Sequence, residues 1–213
     1  MKKVNSKSKV NKLSSFEGAG GGIIIIDYGA GNIQSIKFAL NRLGYSAILS
    51  SDINEIQNAD KVIFPGVGEA SNAMKALKNK GLDKIIPNLK QPVLGICLGL
   101  QLMCKHSEEN DTSGLGIFDI NVKRFPNEMK VPQIGWNQIE DLKGKLFNGI
   151  HDKEFMYLVH SYYVPRNEFT VAITNYGFDY TSAMQKDNFY GVQFHPEKSS
   201  NAGEQLLDNF LKI

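Results

Sequence analysis

Two cysteines are all that the 213 residues contain, and the pair cannot act as a staple. Cys97 and Cys104 sit on one predicted helix, two turns or roughly 10 Å apart along its axis, too far for a disulfide. No Cys-x-x-Cys pair or histidine cluster suggests zinc, and no metal or cofactor is expected. A reducing, cytoplasmic compartment follows from that cysteine usage. Long apolar runs are missing as well. The densest, Ile23–Ile26, falls far short of the roughly 20 residues that a bilayer-spanning helix requires, so no membrane partner is expected. Charge of one sign is scarce, with a net value of +2. It is unevenly placed: residues 1–22 hold five lysines against Glu17, and the other 19 basic and 21 acidic residues leave the body at −2. The basic character belongs to a tail, and the body offers no nucleic-acid surface.

An apolar share of 42% and a charged share of 22% are those of an ordinary globular protein, with length for one domain and a full core. Residues 1–22, rich in Lys, Ser and Asn and closing on a glycine run, read as a disordered extension or tag remnant. The expected domain covers 23–213. Ile23–Asp27 reads as a buried strand, followed by a tight turn through Tyr28–Asn32. That turn lacks the third glycine of a dinucleotide fingerprint. Ile33, Ile36, Leu40 and Leu43 give the next helix one apolar face, ended by Gly44. Tyr45–Leu49 predicts a second strand, Ser50 or Ser51 a helix cap, and Lys61–Phe64 a third strand. A helix with Ala70, Ala73, Met74 and Leu77 inward is stopped by Gly81, and Pro92–Ile96 is the fourth strand. This β-α-β-α-β-α-β series implies a parallel sheet with helices on both faces. Ligands bind such sheets outside the carboxyl ends of the strands, where Asp27, Pro65–Gly68 and Cys97 all fall. The later pattern is of short strands: Phe118–Arg124, Ile134–Leu142, Phe155–Val164, Thr170–Asn175, Thr181–Gln185 and Phe189–Phe194. They predict antiparallel additions that complete the sheet, one small ribbon over its edge, and a last helix, Ala202–Leu211.

The chemistry gathers in two stretches. Val93–Ile96 rises into Cys97, which stands between Gly95 and Gly99 and opens a helix through Leu98 and Gln101. This is the thiol version of a nucleophile elbow. The glycines permit the sharp turn, and the positive end of the helix favours thiolate, the nucleophilic form. A lone cysteine in an apolar stretch is more often a buried structural residue. The second stretch shifts that balance. Tyr190–Glu197 brings a buried strand to His195, with Glu197 two residues on. In extended backbone such positions project to one side, roughly 6.5 Å apart. The carboxylate then reaches one ring nitrogen while the other faces the thiol, and Pro196 limits the wobble. Nucleophile, base and orienting carboxylate make a triad. Pro65–Gly68, glycine-rich at a strand end, can aim amide N–H groups at a reacting oxygen or be a plain connection.

Gly95–Gln101 with His195–Glu197 resembles the class I (triad) glutamine amidotransferases, over about residues 23 to 213. Finer motifs are Asp27–Asn32, Pro65–Gly68, Ser107–Glu109, Gly135–Asn137, His160–Tyr163 and Phe194–Ser199. They resemble one branch of that family, glutaminase subunits that feed ammonia to a biosynthetic cyclase. The resemblance implies a flavodoxin-like three-layer α/β sandwich, with L-glutamine as substrate. It implies that Cys97 attacks the side-chain amide to form a γ-glutamyl thioester, that His195 moves the proton, and that Glu197 orients His195. Leu98 with Val67 or Gly68 would hold the oxyanion. Gln101, Glu109, His160, Ser161 and Tyr162 would grip the amino-acid end of the substrate. Asn32, Trp136, Tyr157 and Lys198 would face the cyclase, a (β/α)₈ barrel, in a heterodimer; the competing reading makes Trp136 core filler. Two positions depart from the pattern. Gln133 stands where a histidine often precedes Gly135–Asn137, and Glu69-Ala70 where Ala-Phe is common; both bear on partner fit or loop motion. Three other readings stay open: a stand-alone cysteine hydrolase, a non-catalytic docking module, and a paralogous subunit serving a sugar-modifying synthase.

Overall fold

Four consecutive isoleucines form β1 (Ile23–Ile26), and the alternation of a strand sends them to opposite faces. Ile23 and Ile25 enter the core on one side, Ile24 and Ile26 the core on the other, so both faces must be covered. The computed structural model describes residues 22–29 and 31–213; apart from Gly22, the expected extension over 1–22 lies outside the described residues. After β1 come α1 (Ile33–Arg42), β2 (Ala47–Ser50), α2 (Ile53–Gln57), β3 (Lys61–Phe64), α3 (Ala70–Asn79), α4 (Leu82–Ile85), β4 (Val93–Ile96) and α5 (Leu98–Met103). The second half holds β5 (Cys104–Ser107), β6 (Thr112–Ser113), β7 (Phe118–Arg124), β8 (Gln133–Ile139), β9 (Glu154–His160) and β10 (Tyr162–Tyr163). It closes with β11 (Thr170–Asn175), β12 (Asp179–Lys186), β13 (Phe189–Val192) and α6 (Ser200–Leu211).

The main sheet runs β11-β12-β13-β4-β3-β1-β2. Its members from β13 to β2 are parallel, while β12 and β11 add antiparallel strands at one edge. Ile36 and Leu40 of α1 and Leu206 and Phe210 of α6 pack on one face; Met74 and Leu77 of α3 and Leu100 of α5 pack on the other. This is the expected three-layer α/β sandwich. Burial of each such side chain contributes about 1.5–3 kcal/mol.

Several local expectations are corrected. Two small sheets replace the single ribbon: the hairpin β8–β9, and a four-stranded sheet ordered β10-β7-β5-β6. Cys104 does not continue the helix of Cys97. It begins β5, because the amides of Leu115 and Gly116 take the carbonyls of Leu102 (2.8 Å) and Cys104 (3.1 Å). The cap of α2 is Asp52, whose carboxylate accepts from the amides of Asn54 (2.8 Å) and Glu55 (3.0 Å); the Ser50 hydroxyl instead accepts from the Asp52 amide. Beyond Gly81 the chain makes α4, too short a helix to leave a periodic trace. β2 begins at Ala47 rather than Tyr45, and the expected strand over Phe155–Val164 breaks at Ser161 between β9 and β10.

Helix α5 crosses the end of β3 so closely that a Cβ on Gly99 would lie 2.0 Å from the Phe64 carbonyl oxygen. Gly99→Ala must push the helix away and costs about 3 kcal/mol, a fall in Tm of about 6–12 °C in a thermal melt. Gly44, at φ +87° with open space around it, is the comparison. Gly44→Ala meets backbone strain alone, costs about 1–2 kcal/mol, and lowers Tm less.

Candidate active site

β13 lies beside β4 in parallel register, with Val192 opposite Ile96. The Cys97 amide donates to the Val192 carbonyl at 2.8 Å, so both chains leave the sheet at the same carboxyl edge. Cys97 turns there with φ 54° and ψ −109°, a conformation costing of order 1–3 kcal/mol, and sits at the N-cap of α5. His195 is pinned as firmly. Its amide donates to the Tyr157 carbonyl (2.9 Å), its carbonyl accepts from the Ser199 hydroxyl (2.6 Å), and that hydroxyl oxygen accepts from the Tyr157 amide (3.0 Å).

Glu197 does not lie on extended backbone. Pro196–Lys198 forms a 3₁₀ turn, which shortens the i to i+2 reach and sets Glu197 Oε1 2.9 Å from His195 Nδ1. Both side chains are sealed from solvent, at 2% and 1% exposure. Burial disfavours the imidazolium, but attraction from Cys97 and the bond to Glu197 outweigh it and raise the His195 pKa well above its ordinary value. Among the described residues Nε2 makes no bond of ordinary hydrogen-bond geometry, and Cys97 raises the ring's pKa first as a hydrogen-bonding neighbour and then by its charge. The Cys97 sulfur lies 3.7 Å from Gln193 Nε2, a donor, and 3.8 Å from the Val159 carbonyl. Cys104 differs: it is fully buried, which pushes its thiol pKa far up and leaves it inert.

Cys97 and His195 face one cavity of about 300 Å³. Val67, Gly68 and Leu98 wall it beside the sulfur, and Gln101, Glu109, His160, Ser161 and Tyr162 wall the remainder with Pro132 and Val159. Gln101 spends both amide hydrogens on the Tyr162 carbonyl (2.9 Å) and Gln193 Oε1 (3.0 Å), leaving its own oxygen for a ligand. Glu109 Oε2 accepts from the Ala70 amide (2.8 Å). Burial raises the Glu109 pKa, Glu69 adds to that, and the Ala70 bond opposes it. His160 presents only its ring. Nδ1 donates to the Tyr162 carbonyl (2.7 Å), Nε2 meets the Tyr180 hydroxyl (3.2 Å), and burial lowers its pKa to about 4. Gln133 is buried beneath, 2.9 Å from that hydroxyl, so this departure tunes the wall of the cavity rather than an outer surface.

Trp136 is 52% exposed, which rules out core filler. It stands opposite Tyr157 across the hairpin, in edge contact at 6.1 Å, and Lys198 Nζ lies 5.7 Å from the Tyr157 ring centre. Ile134 and Phe155 share this exposed face by strand alternation. Asn32 precedes α1 and accepts from the Ser35 hydroxyl; α1 in turn packs against the Pro196–Lys198 turn. Ile134, Phe155 and Gln193 were not singled out from the sequence. Gln193 left a signal, as a polar residue two positions before His195 in an otherwise apolar strand.

Known proteins resemble this chain in sequence and in fold. The family model described as glutamine amidotransferase class-I matches residues 24–213. The imidazole glycerol phosphate synthase subunit HisH of Bacteroides fragilis (strain YCH46) is 55% identical over 90% of this chain and 99% of its own. The HisH subunit of Haemophilus influenzae is 48% identical over 89% of this chain and 96% of its own. Among solved structures, one described as a glutamine amidotransferase has a TM-score of 0.71 at 18% identity, covering 90% of this chain and 98% of its own. PurLQS from Thermotoga maritima has a TM-score of 0.68 at 13% identity, covering 89% and 97%. At those identities the two structures bear on the fold alone. By the family match across its body and by these relatives, the chain belongs to the class-I glutamine amidotransferases.

Proposed function

We infer that this chain is the glutaminase subunit of imidazole glycerol phosphate synthase, releasing ammonia from L-glutamine for a cyclase partner in histidine biosynthesis. The observation that carries the reading is that Cys97 and His195 line one cavity, with Glu197 bonded to His195 behind it. The 48–55% identity to named HisH subunits favours this acceptor over a sugar-modifying synthase. We take residues 23–213 as the amidotransferase domain, and the two free cysteines suit a reducing cytoplasm.

In this reading the Cys97 sulfur attacks the side-chain carbonyl carbon of glutamine. The oxygen gains charge and is held by the Leu98 amide and one from Val67 or Gly68. His195 Nε2 gives its proton to the departing ammonia as the C–N bond breaks, leaving the γ-glutamyl thioester. Water then adds, His195 takes its proton, and the C–S bond breaks to free glutamate and the sulfur. Glu109 suits the α-ammonium of the substrate, and Gln101 Oε1 accepts from it. Tyr162 and Ser161 bound the carboxylate end. The exposed face of Ile134, Trp136, Phe155 and Tyr157, with Lys198 and Asn32 beside it, suits a (β/α)₈-barrel cyclase, since an unpartnered apolar patch of this kind marks an interaction surface.

Co-purification with candidate cyclases and an ammonia-transfer assay test the reading. Cys97→Ala lowers glutamine turnover at least about 10³-fold while the complex still forms on gel filtration. Glu197→Gln lowers kcat about 10²-fold or more, as loss of an orienting carboxylate does. It also removes one of the groups that raise the His195 pKa, so the proton needed by the leaving ammonia is lost at lower pH. The alkaline limb of the kcat profile therefore moves toward neutrality in Glu197→Gln. Finally, the chain alone turns glutamine over slowly, and cyclase with its nucleotide substrate raises that rate; equal rates with and without them contradict the subunit reading.

A further inference from the structure

We propose that the Tyr28 hydroxyl is a positioning group for the oxyanion loop, holding the Pro65 carbonyl so that the following peptide can present its N–H to the reacting oxygen. The inference rests on the glutaminase reading above. Tyr28 is 2% exposed, its ring lies against Phe64 with centres 5.7 Å apart, and its O–H donates to the Pro65 carbonyl at 2.7 Å. Pro65 is itself buried, so that carbonyl has no easy recourse to solvent once the hydroxyl is gone.

A peptide unit is planar, and pinning the Pro65 oxygen therefore fixes the plane of the Pro65–Gly66 link. Gly66 is fixed on its other side: a Cβ there would lie 2.5 Å from the Gly99 amide nitrogen and 2.7 Å from Leu98 Cβ. Gly31 seats the same turn on the proline, since a Cβ on Gly31 would lie 3.1 Å from Pro65 Cβ. The Val67 N–H departs from these two fixed points, in a loop that walls the cavity beside Cys97. Burial holds the Tyr28 phenol far above its ordinary pKa, with Cys97 adding to the shift, so the donor stays protonated at neutral pH. Tyr28 and Gly31 also belong to the turn that ends at Asn32. The segment beside the proposed docking face and the loop over the reacting carbon are thereby joined through one hydroxyl and one close contact.

Tyr28→Phe removes a single oxygen and keeps the ring. In the complex with cyclase and its nucleotide substrate, kcat for glutamine falls about tenfold while KM stays within about twofold, because an oxyanion bond is made in the transition state and not in the ground state. Alkylation of Cys97 by iodoacetamide, a displacement that forms no oxyanion, keeps its wild-type rate. A merely structural role for Tyr28 would slow alkylation in step with turnover. An unchanged kcat, a KM that rises with the fall in kcat, or slowed alkylation overturns the proposal. Wild-type complex that fails to hydrolyse glutamine overturns the glutaminase reading, and this inference with it.

Discussion

The parallel ladder between β4 and β13 is the interaction on which the site depends. Parallel neighbours end at the same edge of a sheet, so the chain leaving one strand stands beside the chain leaving the other. Here the amide of Cys97 is bonded to Val192, the last residue of β13, and the chain then runs through Gln193 to His195 beside the sulfur. Helix α5 sits tightly on this pair of strands: a Cβ on Gly191 would lie 2.2 Å from Leu100 Cδ1. Residues 96 positions apart, Cys97 and Gln193, thus come within contact through backbone geometry and not through any affinity of their side chains.

Behind the cavity a set of buried polar groups is satisfied almost entirely from within. Gln193 joins the sulfur to Gln101, Gln101 joins Gln193 to the Tyr162 carbonyl, and His160 holds that same carbonyl from the far side. Tyr180 has one proton for two neighbours, His160 Nε2 and Gln133. The shorter bond takes it: the hydroxyl donates to Gln133 Oε1 at 2.9 Å, and His160 Nε2 stands 3.2 Å away. Such a network is costly when broken and rigid when complete, which suits a wall that must hold a small polar substrate in one pose.

Much of this was legible beforehand. Ile23–Ile26 and Lys61–Phe64 announced strands as short apolar runs, and Ala70–Leu77 announced a helix because its apolar residues recur with helical period. Gly95 and Gly99 around Cys97 announced an elbow, because a Cβ at either would strike backbone or side-chain atoms nearby. The two small sheets were not legible. β5 and β6 are short and carry Lys105, His106 and Ser113, so no alternation marks them, and the break at Ser161 depends on pairing with β7. The apolar face of the hairpin was half visible: Trp136 stood out by its rarity, whereas Ile134 and Phe155 read as ordinary strand residues until the register turned them outward.

Sequence by itself determined the class of fold, the candidate reactive groups and the local turns that carry them, since periodicity, glycine placement and residue chemistry are properties of short stretches. Tertiary structure alone decided that the 3₁₀ turn brings Glu197 onto His195 and that Gln101 spends its amide hydrogens on the protein. It also decided that Tyr28 reaches across to Pro65. Those facts depend on which elements lie side by side and at what distance, and a polar side chain takes its role from the partner it meets.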